Sequence, residues 1–131
     1  YKLWNTYIKM RIEKIRHVRV TSPAYEQVNN VFERALVHMY LMPRMWLNYT
    51  KILFRQGLIS KTRKTYDLAL IKLPVTQHGR IWKEYLNFII KNTHTCYKGD
   101  RKTFNGWGYG CNKCPACLLR SKGWKKFIKN D

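Results

Sequence analysis

The sequence predicts an all-α protein: helix pairs stacked into a short solenoid over residues 1–90, then a small four-cysteine zinc module over 91–131. Three observations carry this. A Trp-x-x-Tyr core recurs at Trp4–Tyr7, Trp46–Tyr49 and Trp82–Tyr85, its tryptophans 42 and 36 residues apart. An aromatic-acidic-x-Ala-Leu segment recurs at Phe32–Leu36 and Tyr66–Leu70, with Ala35 and Ala69 34 residues apart and a proline after each copy. Repeats of that period mark helix-pair solenoids. Finally, all four cysteines fall between residues 96 and 117.

The elements follow in order. A first helix is expected around "LWNTYI" (3–8). Ser22-Pro23 reads as an N-cap followed by proline at the first helical position. Behind it, Tyr25, Val28, Phe32, Ala35, Leu36 and Met39 draw an apolar stripe along a longer helix. A third helix carries Trp46 and Tyr49 and is closed by Gly57, after which Ser60 is placed to cap a fourth. That fourth helix shows Tyr66, Ala69, Leu70 and Leu73 at i, i+3, i+4 and i+7. A fifth, over 80–90, repeats the offsets with Trp82, Tyr85, Leu86 and Ile89. The repeat-packing set is therefore Trp4, Tyr7, Phe32, Ala35, Trp46, Tyr49, Tyr66, Ala69, Trp82 and Tyr85, the alanines letting helices approach and the rings filling the space opposite. An ordinary helical bundle with an aromatic core is the alternative, which the twice-recurring motif counts against.

The alternation of Trp-x-x-Tyr with aromatic-Glu/Asp-x-Ala-Leu and Pro resembles the HAT (half-a-TPR) repeat of RNA-processing scaffolds. More closely, residues 22–86, "PVTQHGRIW" included, resemble the Syf-type pre-mRNA-splicing scaffolds, the xeroderma-pigmentosum-A-binding protein family of animals. The resemblance implies a TPR-like solenoid in the nucleus that binds spliceosomal proteins of the Prp-nineteen-associated complex and is not an enzyme. Leu68 departs from the pattern, since the repeat usually carries Arg there, as at Arg34.

Charge narrows the partners. Residues 1–90 hold 16 Lys and Arg against 5 Asp and Glu, and residues 91–131 hold 10 against 2, for a formal net charge of +19. Such a field favours nucleic acid, anionic membrane surfaces or acidic proteins. No run of about 18 apolar residues is present, so no membrane span is expected, and no signal-peptide pattern opens the chain. A start at Tyr1 reads as a fragment or a processed product. Cysteines confined to one cluster argue against a disulfide framework and for a reducing compartment.

Cys96, Cys111, Cys114 and Cys117 give C-x14-C-x2-C-x2-C. Two-residue gaps let successive sulfurs converge on one ion, and a distant fourth thiolate completes the closed tetrahedron of structural Zn²⁺. Gly110 and Pro115 supply turn backbone, and "NGWGYG" supplies a loop that returns the chain to Cys96. Iron–sulfur ligation is an alternative, although the usual closing Cys-Pro is missing; disulfides and unrelated buried thiols are others. His94 is read as a surface or supporting residue, because four cysteines already fill the shell. Cys96-Tyr97, Gly99, Gly110-Cys111, Cys114-Pro115, Cys117, Leu119-Arg120 and Gly123 resemble the C-terminal zinc motif of the QueC cyano-deazaguanine synthases over residues 92–127. That resemblance implies the four cysteines as zinc ligands. It does not imply ligase chemistry, since that family's Ser-Gly-Gly-x-Asp-Ser ATP loop and its α/β domain are missing here. The chain thus reads as an apparent fusion joined near residues 91–93.

No catalytic constellation stands out: the carboxylates are scattered, the four histidines lie far apart, and no Ser or Cys stands at triad spacing. No small-molecule substrate is expected. Nucleic-acid binding is the rival function. Tyr97, Phe104, Trp107, Tyr109, Trp124 and Phe127 interleave with lysines and arginines, the pattern of sequence-tolerant single-strand binding, although the same rings would also furnish the core of a small zinc module. The third repeat lacks its second helix. Trp82, Tyr85, Leu86 and Ile89 are therefore expected to meet a partner chain, with the module folding back through Leu118, Leu119 and Trp124 as the alternative.

Overall fold

The computed structural model describes residues 1–129 and is built almost wholly of helices: α1 (Lys2–Lys14), α2 (Pro23–Met39), α3 (Pro43–Arg55), α4 (Ile59–Lys72), α5 (Val75–Asn92) and α6 (Pro115–Lys129), with two short strands, β1 (Phe104–Asn105) and β2 (Gly108–Tyr109), between α5 and α6. Two compact units divide the chain, Tyr1–Lys83 and Glu84–Asp131. The module's expected last residues, Asn130 and Asp131, lie outside the described part.

In the first unit α1 packs on α2, α2 on α3 and α3 on α4. Ala35 and Ala69 are fully buried, as are Phe32 and Leu53, and Tyr25, Val28, Met45, Trp46, Tyr49 and Tyr66 complete the core. The Phe32 and Tyr49 rings stack at 5.1 Å and 17°, which fixes α3 on α2. The polar contacts of this interface are closed internally. Trp46 Nε1 donates to the Tyr40 carbonyl at 2.7 Å, and the Asn29 and Gln56 side-chain amides bond reciprocally at 2.9 and 2.8 Å. A buried amide with both ends paired avoids the desolvation penalty of an orphan.

Helix boundaries follow local chemistry. Ser22 caps α2 through a 3.3 Å bond from the Ala24 amide to its hydroxyl, with Pro23 behind it. Gly57, at φ +73°, closes α3 in the left-handed conformation. Ser60 does not cap α4: the helix starts at Ile59 with Leu58 at the cap, no side chain bonding there, and the Leu58 carbonyl accepts from the Thr62 hydroxyl at 2.9 Å. α5 begins at Val75, earlier than expected, so His78 lies in its first turn with Nε2 2.9 Å from the Leu73 carbonyl oxygen.

Tyr7 departs from its expected packing role and is 40% exposed, while Trp4 is half-buried. Among the described residues α1 packs on α2, and the side it presents is the Ile8–Ile15 side, both residues buried. Tyr7 sits beside that side, edge-on to Trp4 at 6.4 Å and beneath the Arg11 guanidinium at 5.9 Å. No helix among the described residues is long and apolar enough to cross a membrane.

Candidate metal centre

The centre lies in the second unit and starts from the end of α5. There Thr93 donates its hydroxyl to the Ile89 carbonyl at 2.6 Å and Asn92 its amide to Phe88 at 2.8 Å, closing the last turn. The chain then makes a tight turn, the Gly99 amide donating to the Cys96 carbonyl at 3.1 Å. Asp100 fixes the next corner: its carboxylate accepts from the Lys102 and Thr103 amides at 2.9 and 3.0 Å. Those bonds, the Thr103 amide foremost, hold its carboxyl below the usual range. His94 points its Nε2 at the Asp100 carbonyl, 2.8 Å away, and braces this loop.

"NGWGYG", expected to be a loop, is a two-stranded antiparallel hairpin pairing Phe104 with Tyr109 and Asn105 with Gly108. Glycine is needed at two of its positions. Gly108 has φ +119°, and a Cβ there would meet the Ile90 carbonyl oxygen at 2.7 Å. At Gly110 a Cβ would lie 2.7 Å from Cys117 Sγ and 2.8 Å from Trp107 Cη2. The hairpin thus brings bare backbone against the sulfurs. Asn112, in the left-handed conformation at φ 54°, turns the chain from Cys111 to Cys114, a conformation Asn adopts more readily than most residues. Cys117 follows on the first turn of α6, a 15-residue helix that the sequence reading missed.

The four sulfurs of Cys96, Cys111, Cys114 and Cys117 lie within 4.8 Å of one another. All four are free thiols, and Cys96, Cys114 and Cys117 are buried. The Cys114 and Cys96 sulfurs are 4.0 Å apart, against about 3.8 Å for the edge of a tetrahedron with 2.3 Å metal–sulfur bonds. Backbone amides face the sulfurs: Cys114 N–H points at Cys111 Sγ from 3.4 Å. The Cys111 amide is the main cause pulling Cys96 down to about 6, and the Cys117 amide pulls Cys114 down. Cys117, the most deeply placed, is pushed up to about 12 by burial. Buried thiols ringed by amides, with two drawn toward thiolate, form a site that could hold a soft cation.

Around the sulfurs, Trp107 is buried with them and Trp124 packs alongside. Arg120 bolts α6 to the end of α5, its guanidinium donating to the Thr93 carbonyl and hydroxyl and lying 5.6 Å from the Trp107 ring centroid. Burial lowers its pKa. Leu86, Ile89 and Ile90 share one hollow of about 380 Å³ with Trp107, Trp124 and Phe127. The face expected to meet a partner chain is partly occupied within this unit. Tyr85 is buried, and Leu86 and Ile89 are half-buried against this chain's own aromatics, while Trp82 stays 43% exposed. Of the expected fold-back residues, Trp124 takes part, whereas Leu118 and Leu119 face solvent at 54% and 74% exposure. α6 brings Gly123, Trp124 and Phe127 to the same hollow.

The chain matches, over residues 1–102, the family described as the pre-mRNA-splicing factor Syf1/CNRKL1 N-terminal HAT repeat. It belongs to that Syf1/CNRKL1 HAT-repeat family. Among its relatives, the human pre-mRNA-splicing factor SYF1 is 54% identical over 104 residues, which is 78% of this chain and 12% of that protein. Dictyostelium discoideum SYF1 is 48% identical over 131 residues, 98% of this chain and 15% of that protein. The cwf3 splicing factor of Schizosaccharomyces pombe is 36% identical over 90 residues, 67% of this chain and 11% of that protein. The chain thus spans about an eighth of the length of the curated Syf1 relatives it matches. Both the family match and the Dictyostelium pairing run through residues 91–93, where the composition changes.

Proposed function

We propose that this chain is a non-catalytic, protein-binding part of a pre-mRNA-splicing scaffold, held at its C-terminal end by one structural Zn²⁺. The observation that carries the scaffold reading is the Syf1/CNRKL1 N-terminal HAT match over residues 1–102. The nucleus is the compartment this implies, and spliceosomal proteins of the Prp-nineteen-associated complex are the partners. An epitope-tagged chain expressed in nuclei should co-purify with splicing proteins after nuclease treatment. Recovery of the chain alone would refute the scaffold reading.

Zinc is the metal that four thiolates with two-residue gaps favour, over iron–sulfur ligation. Its chemistry here is structural: a closed four-thiolate shell leaves no open position for a substrate. The likeness of residues 92–127 to the QueC motif supplies the ligand set of Cys96, Cys111, Cys114 and Cys117, not the reaction. A fragment of a queuosine-pathway enzyme would need an ATP-binding domain from elsewhere. The apparent fusion near residues 91–93 rests on the two different resemblances on either side of it, while the Dictyostelium pairing over 98% of the chain favours one continuous protein. Sequencing the transcript across codons 85–100 separates the two.

RNA contact is the second reading, favoured by the exposure of Tyr97, Phe104 and Phe127 among lysines. Trp107 is buried with the sulfurs, which leaves fewer rings for bases than the sequence offers.

A further inference from the structure

A groove of about 600 Å³ lies within the first unit, between α2, α3 and α4. Its deeper floor is Leu36, Trp46 and Tyr49, and its lips carry Val37 and Leu68, 70% and 44% exposed. Lys61, Lys64 and Lys72 stand along the α4 side. We propose that this groove docks an acidic amphipathic helix of another protein. The inference rests on the scaffold reading above and gives it a surface and a partner chemistry.

The kind of occupant follows from what the groove offers. Its walls are helices whose backbone groups are already bonded, so an extended strand finds no edge to pair with. The floor's polar atoms are also spoken for: the Trp46 indole donates to Tyr40, and the Tyr49 hydroxyl donates to Glu33 Oε1 at 2.7 Å. Glu33 and Thr65, which also line the groove, are taken up by Tyr49, Lys61 and the Lys61 carbonyl. The surface left over is apolar, which suits side chains at i, i+3, i+4 and i+7 of a helix. Leu68 extends that apolar surface to the lip. Charge then sets which helix. Lys61 pairs with Glu33 at 2.9 Å, while Lys64 and Lys72 appear in none of the described ion pairs. A ligand with carboxylates flanking its apolar stripe satisfies both.

A second copy of this chain does not fit. No helix here carries more than two carboxylates, and each copy brings a net charge of +19. Like-charged surfaces repel on approach.

The test uses the full 131-residue chain and a fluorescein-labelled 18-residue synthetic helix, with leucines at i, i+3, i+4 and i+7 and glutamates on both flanks. Its control is the same composition scrambled to break the stripe. Wild-type protein should bind the striped probe at least tenfold more tightly than the scrambled one. Leu68→Asp should weaken striped-probe binding about tenfold by bringing a carboxylate against the apolar floor. Lys64→Glu with Lys72→Glu should weaken it comparably and flatten its dependence on ionic strength. All three positions are at the surface, so helicity and metal content should match wild type. Equal binding of both probes, unchanged affinity in these variants, displacement of the probe by a single-stranded RNA 12-mer, or blockage of the groove by self-association would each overturn the proposal. Nuclear co-purification is run with the same variants. Recovery of splicing proteins by wild type and variants alike refutes the groove but not the scaffold, whereas no recovery by wild type refutes the scaffold while probe binding still decides the groove.

Discussion

Arg120 straddles Thr93: one guanidinium nitrogen donates to the Thr93 carbonyl oxygen at 3.1 Å, and the other donates to its hydroxyl at 2.7 Å. The hydroxyl in turn donates to Ile89 at 2.6 Å, so a side chain on α6 closes the last turn of α5. Lysine cannot make this fork. Arg120→Lys should destabilise the second unit by about 1–2 kcal/mol and speed amide exchange over residues 89–96, with the metal still bound. Unchanged exchange there would show that the fork contributes nothing.

Gly110→Ala places a methyl group where Cys117 Sγ and the Trp107 ring already stand, 2.7 and 2.8 Å away. Backbone must shift, and the sulfurs shift with it. The expected result is a metal affinity lower by at least tenfold in a chelator competition. Gly123→Ala is the contrast: it sits within α6, and its Cβ would meet nothing within 4 Å. It should raise stability by about 0.5–1 kcal/mol, the ordinary gain of alanine over glycine in a helix.

Metal content is predicted as one zinc per chain by elemental analysis of protein purified without an affinity metal. Cys114→Ser should lose most of it. Chelation should unfold the second unit, because binding energy in a small metal module is largely folding energy, while the far-ultraviolet signal of α1 to α4 persists. Stoichiometric iron with a visible absorbance band would replace zinc as the assignment.

Glu33 links helix pairs by accepting from the Tyr49 hydroxyl and from Lys61. Partial burial raises its pKa, but those two bonds outweigh it and the carboxyl sits below its ordinary value. A depressed native pKa means stabilisation that is complete above the unfolded value and is lost as pH falls through the native one. Tyr49→Phe keeps the stack on Phe32 and removes the hydroxyl. It should cost about 1 kcal/mol at neutral pH, and the gap to wild type should close between about pH 5 and pH 3. A gap independent of pH would mean the carboxylate is not the partner that matters.

Much of the first unit was legible because its signals are steric and repeated. Ala35 and Ala69 are small where two helices meet, and both are buried. Periodicity fixes a face but not which neighbour arrives, so the motif predicts a packed Tyr7 although, among the described residues, α1 packs on α2 alone. Ser60 was expected to cap α4 because cap propensity is local, whereas the cap position went to Leu58, one residue after the Gly57 turn. The four sulfurs were legible from spacing alone. α6 was not: Pro115 is a sound helix start, yet Gly123 and the lysines between Trp124 and Lys129 blur any apolar stripe. Without that helix the sequence shows nothing of this chain beside Leu86 and Ile89, where Trp124 and Phe127 line the same hollow.

The sequence has 7 carboxylates for 26 lysines and arginines, so most of the cations on these helices face water and one another. Repulsion of this kind raises the free energy of a compact state, because unfolding lets the charges spread. Dissolved ions shorten its reach to about 8 Å at physiological strength. Raising salt should therefore lift the melting temperature of the free chain, the reverse of a fold held by ion pairs. An acidic protein surface or a polyanion does the same at far lower concentration. Alone in dilute buffer the chain is under electrostatic pressure, and a negatively charged neighbour relieves it.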